Sequence, residues 1–157
     1  MSVQVERLLQ LCREQGLKLR TAESCTAGAI AAEIASVSGA SDVLDRGWIT
    51  YSDSAKSETL NVEPELITEH GAVSREVVLK MAEGGSSDSA LCVAVSGIAG
   101  PSGGSDEKPV GTVWIAVAGG CNASVAKQHL FSGDRAAVQH QSVICAISML
   151  IDQMEKG

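Results

Sequence analysis

The stretch from Ser96 to Gly111, SGIAGPSGGSDEKPVG, constrains the fold of this chain more than any other. It holds five glycines (Gly97, Gly100, Gly103, Gly104, Gly111) and two of the chain's three prolines, Pro101 and Pro109. The apolar run Ala90 to Val95 leads into it and Thr112 to Ala118 leads out. Both runs are rich in Val, Ile and Ala and short enough to be buried strands. Glycine removes the Cβ that keeps a ligand away from backbone N–H groups, so such a loop can hold part of a substrate. The plainer alternative is a connection that merely needs turns. Long ordered loops in compact domains are more often functional than decorative, which favours the first reading.

The rest of the chain alternates helices with buried strands. Val5, Leu8, Leu9 and Cys12 fall at helical spacing, so residues 2–15 read as an amphipathic helix that stops near Gly16. Leu17 to Ala22 reads as a strand. Then comes the polar turn Glu23-Ser24-Cys25-Thr26-Ala27-Gly28, followed by a helix with Ala27, Ile30, Ala31 and Ile34 on one face. A turn of this kind offers hydroxyls and N–H groups at a helix N-terminus, which favours anions. A simple N-cap by Ser24 or Thr26 explains one hydroxyl but not the cluster of Glu23, Ser24 and Thr26.

Downstream, Arg46 to Tyr51 reads as a strand and Ser54 to Leu60 as a short helix. Pro64 opens a helix over Glu65 to Glu69, which places His70 at its C-terminus, and Ser74 caps another reaching about Met81. Ser124 to Phe131 reads as a last strand and Asp134 to Glu155 as the final helix. The pattern predicts a single α/β domain over residues 1–157, a three-layer α/β/α sandwich. Three successive strands with no helix between them require a mixed central sheet.

Composition narrows the function classes. A chain of 157 residues with 45% hydrophobic and 20% charged residues is long enough for one real core, and 3% aromatics makes that core aliphatic. The net charge of −7 argues against a nucleic-acid partner, though not against a local basic pocket for one phosphate. Five cysteines without a CxxC argue against a disulfide framework or zinc site and for reduced thiols in a cytoplasm. The N-terminus lacks an apolar signal region, and no apolar run approaches a membrane span. His70, His129 and His140 are scattered without ligand spacing, and Walker A and GxGxxG patterns are absent. What remains for chemistry is hydroxyls, glycine loops and one well-placed lysine. Ser41 sits in a Gly-Ala-Ser loop, and Tyr51, the only tyrosine, and Lys56 lie at and beyond the end of the next strand. The plain readings are a helix N-cap for Ser41 and a solvated surface lysine for Lys56.

The segments TAESCTAG, GWITYSDSAK, HGAVS, SGIAGPSGG, EKPVGTVW and FSGDR, in this order, resemble the family of CinA carboxyl-terminal domains. The resemblance runs from about Thr21 to the final helix. Stand-alone members of that family are nicotinamide mononucleotide deamidases, and the amino-terminal domain of two-domain members has no counterpart in this sequence. The resemblance implies a cytoplasmic, homodimeric amidohydrolase. It would convert a small-molecule nucleotide, nicotinamide mononucleotide, and water to nicotinate mononucleotide and ammonia with no metal or redox cofactor. It implies a serine with a lysine base. Ser41 matches the second serine of the family's Pro-Gly-Ser-Ser loop, Lys56 and Tyr51 match its lysine and tyrosine, Ser96 opens the glycine loop, and Arg135 matches the arginine of Gly-x-Arg. Substrate contacts are then expected from Glu23, Ser24, Thr26, Ser96, Gly97, Gly100 and Arg135, with phosphate and ribose held by Arg135, the Ser24 to Thr26 turn and the N-terminus of the final helix. The sequence departs from the family at Ser38 and Ala40, at Asp53 in place of asparagine, and at Gln139 in place of a second arginine. Those departures support a second reading, a nucleotide-binding module without turnover.

Ser41 is the preferred nucleophile over Ser24, because the turn at Ser24 suits binding. This choice carries a geometric tension. Ser41 and Lys56 flank a six-residue strand, which spans about 20 Å. Helical turns, a shorter strand or a site shared across a dimer would each relieve it.

Overall fold

A computed structural model describes residues 1–156. Five strands form one sheet in the order β2-β1-β3-β4-β5, where β1 is Lys18–Glu23, β2 Leu44–Ile49, β3 Ala90–Gly97, β4 Thr112–Ala118 and β5 Val125–Leu130. Strands β2, β1 and β3 run parallel, and β4 and β5 continue the sheet antiparallel. The sheet is mixed as the absence of helices between the last three strands requires. The short β4–β5 connection can only reverse direction, whereas each parallel neighbour needs a crossover.

Helices cover both faces. Helices α1 (Ser2–Gln15), α2 (Ala29–Ala35) and α6 (Arg135–Glu155) pack on one side, where Val5, Leu8, Ile30, Ile34, Val138 and Ile147 meet Leu19, Val93, Val95, Ile115 and Val117. On the other side, α3 (Asp53–Leu60), α4 (Pro64–His70) and α5 (Arg75–Gly85) lie over Ala22, Cys92, Ala94, Ala116 and Ala118. The period-2 alternation of β3 and β4 thus separates branched residues on the first face from small ones on the second. The small face lets α5 come close. A Cβ on Gly85 would stand 2.6 Å from Cys92 Sγ and 2.9 Å from Trp48, so only glycine fits there. Gly16 ends α1 in the left-handed conformation, and Ser74 Oγ accepts from Val77 N–H to start α5.

Boundaries moved where side-chain pattern was a weak guide. β2 begins and ends two residues earlier than its expected Arg46–Tyr51. Parallel pairing with β1, Arg20 opposite Arg46 and Glu23 opposite Ile49, sets the limits, and the edge position leaves most of β2 exposed. β3 continues through Ser96 and Gly97, which pair with Trp114 and Val113, so the glycine loop starts at Ile98. The helix at Ser74 runs on to Gly85, because burial of Met81 and Ala82 outweighs the helix penalty of two glycines.

Candidate active site

The three parallel strands β2, β1 and β3 end at the same edge of the sheet, where open α/β sheets place ligands. A cleft of about 260 Å³ opens there, lined by Ser24 and Cys25 after β1, Tyr51, Asp53 and Lys56 after β2, Ala72 and Val73 before α5, Ser96 to Gly100, Ser102 and Gly103 of the glycine loop, and Arg135. Larger clefts occur between α3 and α4 and beside α6, but neither contains the feature that sets this one apart. That feature is a lysine with 1% exposure.

Lys56 lies in the first turn of α3, which Ser52 caps by accepting from Ala55 N–H. Its ammonium end turns back toward the sheet. Nζ donates to Thr50 O at 2.9 Å and to Ser24 Oγ at 3.3 Å, with longer approaches to the carbonyls of Tyr51 and Ser52 at 3.4 Å. All four partners are neutral oxygens. Burial without a bonded carboxylate pushes the Lys56 pKa down, and the charge of Asp53 nearby opposes part of that shift. Lowering the pKa of a lysine is what a general base requires, because only the neutral amine can take a proton.

Ser24 sits immediately after β1, and its N–H donates to Val95 O. The turn that follows is unusual. Ala27 has φ 48° although it carries a Cβ, and Gly28 has φ 98°. Glu23, 1% exposed, bends into this turn. Its Oε1 accepts from Thr26 Oγ1 at 2.7 Å, Ile30 N–H at 2.9 Å and Gly28 N–H at 3.2 Å, and its Oε2 accepts from Ala31 N–H at 3.0 Å. Gln139 Nε2 on α6 donates to Cys25 O at 3.0 Å and ties the turn to that helix. The Cys25 thiol also faces the cleft, but burial pushes its pKa up to about 11, so near neutral pH it is a protonated, inert thiol.

Several expected residues meet here and others do not. Lys56, Tyr51, Ser24, Ser96, Gly97, Gly100 and Arg135 all line the cleft. Ser41 is exposed in a 3-10 turn, Ala40–Asp42, that precedes β2, so the strand separates it from Lys56 and the expected pair does not form. The serine within reach of Lys56 is Ser24. Glu23 and Thr26 lie beneath the cleft and spend their polar atoms on each other and on the start of α2. The N-terminus of α6 is also closed, because Asp134 accepts from Ala137 N–H and sets a carboxylate where donors for phosphate were expected. Arg135 remains open to a ligand. Its guanidinium donates to Gly100 O and to Tyr51 Oη, both at 2.8 Å, which uses two of its five N–H groups. Ser96 Oγ donates to Ala72 O at 2.8 Å and anchors the glycine loop to the segment before α5. Gln139, noted in the sequence only as a lost arginine, proves to hold the backbone of the turn. Thr50 contributes a backbone carbonyl, for which no side-chain signal exists.

An α/β domain with a serine hydroxyl on a buried lysine, at the carboxyl ends of its parallel strands, has the equipment of a serine–lysine hydrolase. Residues 2–154 match the CinA C-terminal domain family, and the chain belongs to it. It is 43% identical over 150 residues to the nicotinamide-nucleotide amidohydrolase PncC of Escherichia coli K12, covering 94% of this chain and 91% of that protein. It is 48% identical over 149 residues to a CinA-like protein of Geobacter sp. strain M21, covering 92% of this chain but 35% of that longer protein. Among solved structures, a CinA superfamily protein from Klebsiella pneumoniae superposes with a TM-score of 0.90 at 33% identity, covering 99% and 98% of the two chains. A competence/damage-inducible protein from Agrobacterium tumefaciens gives 0.84 at 38% identity, covering 94% and 95%.

Proposed function

We propose that this protein hydrolyses the amide of nicotinamide mononucleotide, with Ser24 as nucleophile and Lys56 as its base. The observation that carries the reading is the contact between Lys56 Nζ and Ser24 Oγ inside a cleft that also holds Arg135. The likeness to nicotinamide-nucleotide amidohydrolases supports the substrate. Neutral Lys56 takes the proton from Ser24 Oγ as the oxygen attacks the carboxamide carbon. The carbonyl oxygen gains negative charge as the carbon becomes tetrahedral. The N–H groups of Cys25, Ala99 and Gly100 donate to no protein acceptor among the described residues and are the donors we assign to that oxyanion. The C–N bond then breaks, and ammonia leaves with the proton held by Lys56. Water enters, gives a proton to Lys56 and attacks the ester carbon; as the C–Oγ bond breaks, Lys56 returns that proton to Ser24 Oγ and nicotinate mononucleotide is released.

Arg135, which keeps free N–H groups beside its bonds to Gly100 and Tyr51, is the residue we assign to the phosphate. The homodimer remains part of the proposal. The exposed edge strand β2, where Ile49 is 61% exposed, supports it, and light scattering tests it. No helix among the described residues is long and apolar enough to cross a membrane.

The test is ammonia release from nicotinamide mononucleotide by the purified protein. Ser24→Ala and Lys56→Ala should abolish it, and Ser41→Ala should leave it intact. Release no faster than by the Lys56→Ala variant would sink the proposal. Loss of activity in Ser41→Ala with retention in Ser24→Ala would return the nucleophile to Ser41.

A further inference from the structure

We infer that Glu23 is the positioning residue of the nucleophile: its buried carboxylate folds the Ser24–Gly28 turn back on the start of α2 and so holds Ser24 Oγ against Lys56. The inference rests on the reading of Ser24 and Lys56 given above, but its geometry is independent of the substrate. Glu23 directly precedes the serine, yet it bonds residues three, five, seven and eight positions further on. The chain from Glu23 to Ala31 is therefore a closed loop, with Ser24 next to the residue that closes it. One end of that loop is fixed to the sheet by Ser24 N–H on Val95 O, and its middle is fixed to α6 by Gln139 on Cys25 O. Backbone bonds from Ala27 N–H to Ser24 O and from Ala29 N–H to Thr26 O brace the turn between, and Glu23 takes the N–H groups of Ile30 and Ala31 at the other end.

The turn needs such a clamp. Ala27 occupies the left-handed region at φ 48°, which a residue with a Cβ holds only when its surroundings force it. Gly28, also left-handed, has Ile49 Cδ1 3.2 Å from where a Cβ would lie. Helix α2 has seven residues and would be marginal alone, so its exposed N–H groups cannot hold the turn without an acceptor. The carboxylate supplies that acceptor to three of them at once. It does so from below the cleft, where Glu23 is 1% exposed and lines no part of the pocket. A group in that position acts on the reaction through Ser24 and not through the substrate. The same fold of the turn leaves the Cys25 N–H without an acceptor, available to the oxyanion.

The perturbations are Glu23→Gln and the pair Thr26→Val and Thr26→Ser. Glutamine keeps the shape but turns an NH2 group toward at least one N–H donor of the turn. Thr26→Val keeps the branched shape and deletes one bond to Glu23, and Thr26→Ser restores it. Each variant is read three ways at 25 °C: kcat and KM for nicotinamide mononucleotide, the rate at which a small fluorophosphonate labels Ser24 as mapped by mass spectrometry, and the unfolding midpoint. Glu23→Gln should lower kcat roughly 10²-fold, the cost of misplacing a reacting atom by about 1 Å, and slow labelling in parallel. KM should stay within about twofold, because the substrate contacts are untouched. Thr26→Val should lose about tenfold in kcat and in labelling, the worth of one bond to a carboxylate, and Thr26→Ser should recover both.

A raised KM with kcat and labelling unchanged would overturn the inference and return Glu23 to substrate binding. A lowered midpoint with kcat and labelling unchanged would overturn it as a purely structural role, and failure to label Ser24 in the unmutated protein would also overturn it. Should Glu23→Gln not fold, the two Thr26 variants decide by the same readouts. If labelling depends on Glu23 and Thr26 while nicotinamide mononucleotide is not turned over, positioning stands and the substrate reading falls.

Discussion

Replacing Lys56 by methionine separates the chemistry of this lysine from its packing. Methionine fills nearly the same apolar space as the buried stem, and what disappears is Nζ. Two effects on stability oppose each other. The Thr50 carbonyl loses the donor at 2.9 Å, which costs about 1–3 kcal/mol for a buried group left unpaired. Against that, the variant no longer buries a group whose charged form is disfavoured. The pKa of Lys56 is lower in the fold than in the unfolded chain. Below the folded value both states carry the proton, and the wild type bears the whole penalty. Between the folded value and the ordinary lysine value near 10.4 the unfolded chain binds more protons, so the wild type gains stability with pH by up to about 1.4 kcal/mol per unit. Methionine has no such dependence. Urea unfolding followed by the fluorescence of Trp48 and Trp114 should therefore show the variant losing ground to the wild type as pH rises through that window. Turnover should behave differently. Loss of the base should lower kcat for nicotinamide mononucleotide by roughly 10²–10⁴ in a protein that is still fully folded. The reasoning is refuted if kcat stays within about tenfold, or if the stability difference does not move with pH.

Arg135→Ala should raise KM for nicotinamide mononucleotide and leave kcat nearly unchanged, with little effect on the riboside that lacks phosphate; equal losses on both would make Arg135 structural. Asp53→Asn removes the charge that holds the Lys56 pKa up, so the acidic limb of the kcat/KM profile should move to lower pH; a limb that stays put or rises would exclude Lys56 as its origin. Gly111→Ala should cost more than about 2 kcal/mol of stability, seen as a sharp drop in the thermal midpoint, because φ is 97° and a Cβ would lie 2.1 Å from the Phe131 carbonyl oxygen; an unchanged midpoint would mean the loop relaxes freely.

The layers of the fold were legible because they follow from periodicity. The alternation in β3 and β4 and the helical spacing of Val5, Leu8, Leu9 and Cys12 each point to one solution. The site was legible only in part. Lys56, Tyr51, Ser96 and Arg135 stand out by residue type, but the choice between Ser41 and Ser24 turns on which end of β2 faces β1's carboxyl end. That is a property of parallel pairing, not of local sequence. The intramolecular bonds of Glu23 are hidden in the sequence for a related reason. A carboxylate beside a hydroxyl cluster looks like a ligand contact until the turn closes and brings the N–H groups of Gly28, Ile30 and Ala31 onto it. The sequence neighbours of Glu23 give no sign of a left-handed Ala27, without which those donors would point elsewhere.

Four helices of this domain start under side chains of the chain itself: Glu23 over α2, Ser52 over α3, Ser74 over α5 and Asp134 over α6. An open helix start beside the cleft would attract whichever anion the cell holds in abundance, inorganic phosphate included. With those starts closed, the basic groups lining the cleft are Lys56, whose charged form burial disfavours, and Arg135, which keeps N–H groups beyond its bonds to Gly100 and Tyr51. A loose anion entering the cleft therefore meets one guanidinium and no open helix start. Sealing the helix starts thus leaves Arg135 as the charged donor that an anion meets in the cleft, a narrowing that comes from closing attractive positions.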